Sequence, residues 1–389
     1  MRFFLGLFLF SLFSANALFA QKVNVKDEFK SAQGQVSYML DEIKKLDTKL
    51  ELVSPRTFVN DKIKMVISRD WTSGFFPGVL WYLYEYTGDK KWLEQAKIFT
   101  ANLEKEQFNK GTHDLGFMIY CSYGNGYRLT KDENYKNIII QAAKSLSTRY
   151  NPKAGVIRSW DHHKDVWKFP VIIDNMMNLE LLFEATRFSG DSSFYKIAVT
   201  HADNTLKNHF RTDNSSYHVV DYDPETGEVI KKMTHQGFAD ESAWARGQAW
   251  GLYGYVLCYR ETRDPKYLDQ ANKIASFIFN HPNLPKDLVP YWDFNSPDIP
   301  KTSRDASAAA ITASALYELD GYDKKKGYAK KADAILYSLS KGYKSPAKQT
   351  GGFILIHSTG HAPAKSEIDV PLTYADYYYL EASLRSKKK

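Results

Sequence analysis

Five stretches of the chain share one pattern of apolar and polar positions. They are "YTGDKKWLEQAKIFTANL" (86–103), "RLTKDENYKNIIIQAAKSL" (128–146), "RFSGDSSFYKIAVTHADNTL" (187–206), "RETRDPKYLDQANKIASFI" (260–278) and "LDGYDKKKGYAKKADAILYSL" (319–339). Each opens with a short polar turn holding an Asp (Asp89, Asp132, Asp191, Asp264, Asp323). An aromatic follows, then an Ala-rich run with apolar residues at helical spacing. Successive Asp residues lie 43, 59, 73 and 59 residues apart, and a unit recurring at such a period signals an array. A further helical pattern precedes each turn (Phe76–Tyr86, Gly116–Tyr127, Met176–Phe188, Ala243–Glu261, Ala306–Leu319), so the unit is a helix hairpin. With helices expected at about 26–50 and 372–385, the chain holds twelve helices in six hairpins. Six hairpins closing on themselves predict an all-α fold, an (α/α)6 barrel in one domain; an open solenoid would repeat more regularly. Only "VVDYD" and "GGFILIHS" look like strands, both short and within loops.

The pattern also orders the loops. Those at the Asp turns are short, whereas those before the entering helices are long and rich in Gly, Pro, His and Trp, as functional loops tend to be. If the entering helices line a ring, their N-termini gather at one rim. There stand "RDWTSGF" (69–75), "THDLGF" (112–117), "IDNMMN" (173–178), "HQGFADESAWARGQAW" (235–250), "SRDASAAA" (303–310) and "SEIDVPLTYAD" (366–376). Each carries an acid: Asp70, Asp114, Asp174, Asp240 or Glu241, Asp305, and Asp369 or Asp376.

Asp and Asn are favoured helix N-caps, which accounts for several of these acids. Asp174 admits a second reading, because it lies between Val171-Ile172-Ile173 and Met176-Met177. A carboxyl in apolar surroundings resists ionising, which is how a protein makes a general acid for neutral pH. Around the acids the loops supply Trp71, Phe75, Trp160, His218, Trp244, Trp250 and Trp292, as core or as sugar platforms. Arg246 shares a helix face with Trp250 four residues on, and in that setting is expected to grip a carboxylate with its planar fork. His113, His218 and His235 are candidates for acid or base, although a lone His is more often structural.

Composition narrows the classes. An aromatic content of 15% with 8 Trp and 26 Tyr suits a sugar cleft. The net charge of +7 is mostly terminal: without Arg2 and the basic residues of the tail "RSKKK", 47 basic face 45 acidic residues. No nucleic-acid or membrane-surface partner follows from charge. Residues 1–20 are expected to be a secretory signal, with one Arg, an apolar run from Phe3 to Phe13 and small residues allowing cleavage after Ala17 or Ala20. That leaves 21–389 as an exported catalytic domain, periplasmic or secreted, with no membrane insertion after cleavage. Cys121 and Cys258 fall in apolar helical patterns and are expected as buried free thiols. No metal-ligand spacing and no phosphate-binding Gly loop is present, and no protein partner is implied.

Taken together, "DWTSGFFPG", "HDLGF", "IDNMMN", "HQGFADESAWARGQAWGLYG" and "RDASAAAI" resemble the unsaturated glucuronyl hydrolases of glycoside hydrolase family 88, from about residue 60 to the last helix. The resemblance implies an (α/α)6 barrel acting without a cofactor on oligosaccharides left by polysaccharide lyases, whose non-reducing uronic acid carries a C4=C5 double bond. It implies that Asp174 is the acid/base and that Asp114 is the second essential acid, holding ring hydroxyls. It also implies binding positions at Trp71, Phe75, His113, Trp160, His218, Gln236, Arg246, Trp250 and Tyr374. Lys365, in the loop "HSTGHAPAKSE" (357–367), is expected to contact a sulfate on the released sugar. Rival readings are an unsaturated rhamnogalacturonyl hydrolase on pectin fragments and a non-catalytic exported glycan-binding protein. The residues do not choose among chondroitin, hyaluronan, heparin and ulvan.

Overall fold

The computed structural model describes residues 22–46 and 51–387, so the expected signal segment lies outside the described residues. Helices α1 (Val25–Ile43), α2 (Phe75–Thr87) and α3 (Lys90–Ala101) come first. A π-helix, Gly116–Gly124, continues into α4 (Asn125–Thr130) and is followed by α5 (Glu133–Ser147). A 3-10 segment, Ile173–Asn178, continues into α6 (Leu179–Ser189). Then come α7 (Ser192–Asn208), α8 (Ala245–Thr262), α9 (Pro265–Asn280), α10 (Ala306–Tyr322), α11 (Tyr328–Gly342) and α12 (Thr373–Lys387).

These form the expected (α/α)6 barrel. The inner ring runs α2, π-helix/α4, α6, α8, α10, α12, and α12 packs back on α2 to close it. The sixth hairpin is made by the two ends of the described chain, α1 against α12. Inner helices α2, α8, α10 and α12 bury their side chains nearly all round, and such helices are largely apolar or small-sided. In α10 every residue from Ala306 to Tyr317 is buried, six of them Ala, and the small side chains let neighbours approach closely. The outer helices are amphipathic; α9 buries Tyr267, Gln270, Ala271, Ile274, Ala275 and Ile278 along one stripe.

The Asp turns explain the repeat. Asp89, Asp132, Asp191 and Asp264 each N-cap an outer helix, accepting the backbone N–H two residues on. Asp323 does not: it ends α10, and α11 begins after Gly327 in the left-handed region. The first helix ends at Ile43 rather than near 50. Strand β1 (Leu52–Val59) then pairs with β2 (Lys62–Ile67) in a hairpin. Its turn residues Asn60 and Asp61 both have positive φ, as a tight two-residue hairpin demands. Strands β3 (Tyr150–Asn151) and β4 (Val156–Ile157) form a small ladder, and β5 (Pro170–Ile172), β6 (Val219–Tyr222) and β7 (Val229–Met233) a three-stranded sheet. "VVDYD" is thus a strand as expected. "GGFILIHS" is not, because the N–H groups of Ile354 and Leu355 donate to the Asp376 carboxylate instead of to a ladder. Cys121 and Cys258 are buried free thiols.

One contact ties the barrel to the chemistry at its rim. Gly254 of α8 faces the 3-10 segment so closely that a Cβ there would stand 2.4 Å from the Met176 Cβ. Gly254→Ala is therefore expected to lower stability by roughly 1–3 kcal/mol and to reduce activity by shifting the segment that carries Asp174. Denaturant melts and turnover on the same preparation check this; an unperturbed melting midpoint would contradict it.

Candidate active site

The long loops and inner-helix N-termini meet over a cleft of about 260 Å³. Of the residues singled out from the sequence, Trp71, His113, Asp114, Trp160, Asp174, His235, Gln236, Arg246 and Tyr374 line it. Arg56, His162, Ile172, Gly360, His361 and Glu367 join them.

Asp174 is the second residue of the 3-10 segment and 7% exposed. It is no helix cap: Ile172 stands at the cap position and no side chain closes that end. Its Oδ2 is buried without a hydrogen-bond partner. Burial drives its pKa from an ordinary 3.8 to about 7, against the nearby Arg246 charge and with help from Asp114. The carboxyl is therefore neutral in a large fraction of molecules at neutral pH.

His218 stands behind it rather than in the cleft wall, its Nε2 3.7 Å from Asp174 Oδ2. The His218 Nδ1 accepts the backbone N–H groups of both His235 and Gln236, at 3.0 Å each. That pattern places the ring proton on Nε2, pointing toward Asp174. Burial, aided by the neighbouring His235, holds the His218 pKa well below its usual value, so the ring is a fixed neutral donor.

Asp114 accepts from the hydroxyl of Thr112 at 2.8 Å and lies 3.2 Å from His113 Nε2. Burial lowers the His113 pKa too, so that contact is with a neutral ring rather than an ion pair. Trp71 packs on Tyr374 with centroids 5.0 Å apart, and Trp160 stacks on His162 at 5.2 Å and 9°. These rings offer apolar faces to a sugar.

Arg246 is tied into the cleft wall. Nη1 donates to Asp305 at 2.9 Å and to the Thr359 carbonyl at 2.5 Å, and Nη2 to the Gly360 carbonyl at 2.6 Å. That engages three of its five N–H groups, and Nε is without a partner. Phe75 and Trp250 are fully buried beneath the cleft rather than in its wall. Phe75 supports Trp71, and Trp250 packs on Phe117 and Tyr378. The Trp250 indole N–H is near enough to favour a charged Asp174 yet makes no hydrogen bond of normal geometry. Lys365 is exposed at the tip of the 361–366 turn, outside the cleft.

Arg56 and Glu367, which line the cleft, gave no local signal because they lie 311 residues apart. A larger cavity, about 410 Å³, opens at the opposite end of the barrel. Its Arg128, Arg187, Arg260 and Arg385 are all paired with glutamates, and no orphaned donor faces it. The cleft at the N-terminal rim instead gathers unpaired Trp160 Nε1, Arg246 Nε and Asp174 Oδ2, with His218 Nε2 and Trp250 Nε1 behind them. Among the described residues no three His, Cys, Asp or Glu side chains are placed to hold a metal, and no helix is long and apolar enough to cross a membrane.

A helical toroid with a neutral carboxyl, a second acid and aromatic walls at one rim defines a carbohydrate-processing enzyme of the (α/α)6 class. The model of glycosyl hydrolase family 88 matches residues 43–385. An unsaturated glucuronyl hydrolase of Formosa agariphila is 54% identical over 327 residues, covering 84% of this chain and 82% of that one. An unsaturated chondroitin disaccharide hydrolase of Streptococcus agalactiae is 33% identical over 381 residues, covering 96% and 94%. The crystal structure of an unsaturated glucuronyl hydrolase specific for heparin matches with a TM-score of 0.88 at 48% identity, over 93% of this chain and 97% of that one. The chain belongs to glycosyl hydrolase family 88.

The raised pKa of Asp174 has a stability signature. Between pH 3.8 and about 7 the unfolded chain ionises this carboxyl while the folded chain keeps it protonated. Folding then takes up a proton, and stability falls as pH rises across that window, levelling off above it. Asp174→Asn removes the decline. The variant should gain on the parent as pH rises from 4 to 8, by up to about 4 kcal/mol. A pH-independent difference in thermal midpoint between the two would contradict the shift.

Proposed function

We propose that this protein removes the 4,5-unsaturated glucuronyl residue from the non-reducing end of lyase-generated glycosaminoglycan oligosaccharides, by hydrating the C4=C5 bond. The observation that carries the mechanism is a carboxyl held neutral to about pH 7 in a cleft edged by unpaired donors. The unsaturated ring is a vinyl ether, which needs a proton rather than a nucleophile first. Protonated Asp174 delivers H⁺ to C4, and an oxocarbenium centre develops at C5. The carboxylate left behind takes a proton from water as that water attacks C5. The resulting hemiketal opens to a C5 ketone, which leaves O5 and the leaving-sugar oxygen together on C1 as a hemiacetal. Its collapse releases the next sugar, and the net change is the addition of one water.

Asp114, oriented by Thr112 and His113, is positioned to accept ring hydroxyls. The uronate carboxylate meets the free Arg246 Nε–H, while the neutral Nε2–H of His218 stays behind, aimed at Asp174. Donors fixed in advance favour the developing transition state because they need not reorganise. The relatives named for chondroitin and heparin substrates support the glycosaminoglycan assignment. The leader "MRFFLGLFLFSLFSANALFA" supports export, to the periplasm or beyond, where such oligosaccharides arise.

Two measurements test this. Incubated with unsaturated disaccharides from chondroitin, hyaluronan and heparin, the protein should abolish the absorbance of the conjugated double bond. Its rate should fall as pH rises through about 7, where Asp174 ionises. Asp174→Asn has no proton to give and should lose at least ~10²-fold in kcat while still binding substrate. Asp114→Asn should lose most activity with the fold intact. Wild-type-like turnover by the purified Asp174→Asn protein would sink the assignment.

A further inference from the structure

We infer that Arg56, on the β1–β2 hairpin, is a positioning residue that fixes two walls of the cleft relative to one another. The inference rests on the proposed function above only for its kinetic test. One arm of the contact is bidentate: Arg56 Nε donates to Glu367 Oε1 at 2.7 Å and Nη2 to Glu367 Oε2 at 2.8 Å. The other runs from Nη1 to Asp70 Oδ2 at 2.8 Å. Each carboxylate in turn organises a segment that lines the cleft.

Asp70 Oδ1 accepts the backbone N–H and the hydroxyl of Thr72, at 2.9 and 2.6 Å, which sets the turn presenting Trp71. That turn has little room to move, since a Cβ on Gly74 would lie 2.2 Å from the Phe117 carbonyl oxygen. Glu367 folds over Gly360, where a Cβ would stand 2.6 Å from its Oε2. The Gly360 carbonyl is the one held by Arg246 and, at 3.2 Å, by Gln236. A continuous chain of contacts thus crosses the mouth of the cleft, from Trp71 through Asp70, Arg56, Glu367 and Gly360 to Arg246.

The hairpin is itself anchored. The Thr57 hydroxyl donates to the Pro371 carbonyl at 2.6 Å, and Phe58 and Ile63 close on Gly351. Arg56 is therefore presented from a fixed strand. A lysine could not reproduce the two-point contact with Glu367, because its ammonium is a point charge rather than a fork. The Arg56 side chain is only 20% exposed and that of Glu367 5%, so the clamp is not a freely solvated surface pair.

Two readouts test the clamp. Amide hydrogen exchange of the whole protein, without substrate, should show faster exchange in both 69–74 and 357–367 when Arg56→Met is compared with the parent. Unchanged exchange in either segment overturns the inference. In turnover of an unsaturated disaccharide, Arg56→Met should raise KM on the order of tenfold, as misplaced binding walls do. Its kcat should stay within about threefold and the fall in rate near pH 7 should stay where it is. Arg56→Lys should give a smaller rise. A loss in kcat with a displaced pH limb would make Arg56 part of the acid's own environment and overturn the positioning role. Glu367→Gln, which keeps shape, guards against a misfolded Arg56→Met protein. It should give part of the KM rise alone and add nothing to Arg56→Met, and additive effects would break the clamp. A wild-type protein inactive on every unsaturated disaccharide would fault the proposed function and leave the exchange result to decide the clamp.

Discussion

The rim of the barrel depends on one buried guanidinium. Arg246 reaches from the first turn of α8 to the cap of α10 and to two carbonyls of the loop that walls the cleft. Taking such a charge out of water costs several kcal/mol, and the cost is offset only when a carboxylate and well-aimed acceptors surround it. Asp305 and the carbonyls of Thr359 and Gly360 meet that need. The charge also reaches Asp174, where it opposes the upward push of burial. The residue that closes the wall therefore also keeps the acid from becoming too weak to give up its proton.

Most buried polar groups in a folded protein find partners, and the far end of this barrel follows the rule, with glutamates and arginines paired between helices. The near end breaks it. Indole, imidazole and guanidinium N–H groups stand unsatisfied around Asp174. Such concentrated exceptions belong at functional sites, where a ligand supplies the missing acceptors. A sugar acid is well suited to them, having both hydroxyls and a carboxylate. The two ends of one toroid thus divide the tasks of stability and chemistry.

Much of this was legible in the sequence because it is local. The Asp turns announce themselves as caps a few residues before an Ala-rich helix, and counting them gives the barrel. The acid in an apolar mouth is equally local, since its neighbours Ile173, Met176 and Met177 adjoin it. What was not legible depends on distant partners. The contacts that tie Arg246 into the wall were hidden because Asp305 and Gly360 lie 59 and 114 residues away. Phe75 and Trp250 looked like platforms because an aromatic near a rim gives no sign of its depth; packing made both of them support. The β1–β2 hairpin was missed, although Asn60-Asp61 between apolar runs is a turn signal in its own right.

Two acids at the same rim show what decides a carboxyl's role. Asp305 begins α10, where its Oδ1 takes the backbone N–H of Ser307 at 3.0 Å and its Oδ2 takes Arg246. Both oxygens are filled, at a helix end whose dipole favours negative charge. Such a carboxyl is suited to structure. Asp174 lies in a similar place in the repeat but enters through a 3-10 turn, which moves it off the cap position. There its Oδ2 has no donor and its neighbours are methionine and isoleucine. Had an ordinary α-helix begun at Asn175, Asp174 would have stood at its cap, where the first-turn N–H groups would have favoured its charged form. The tighter turn is what separates the acid from the cap.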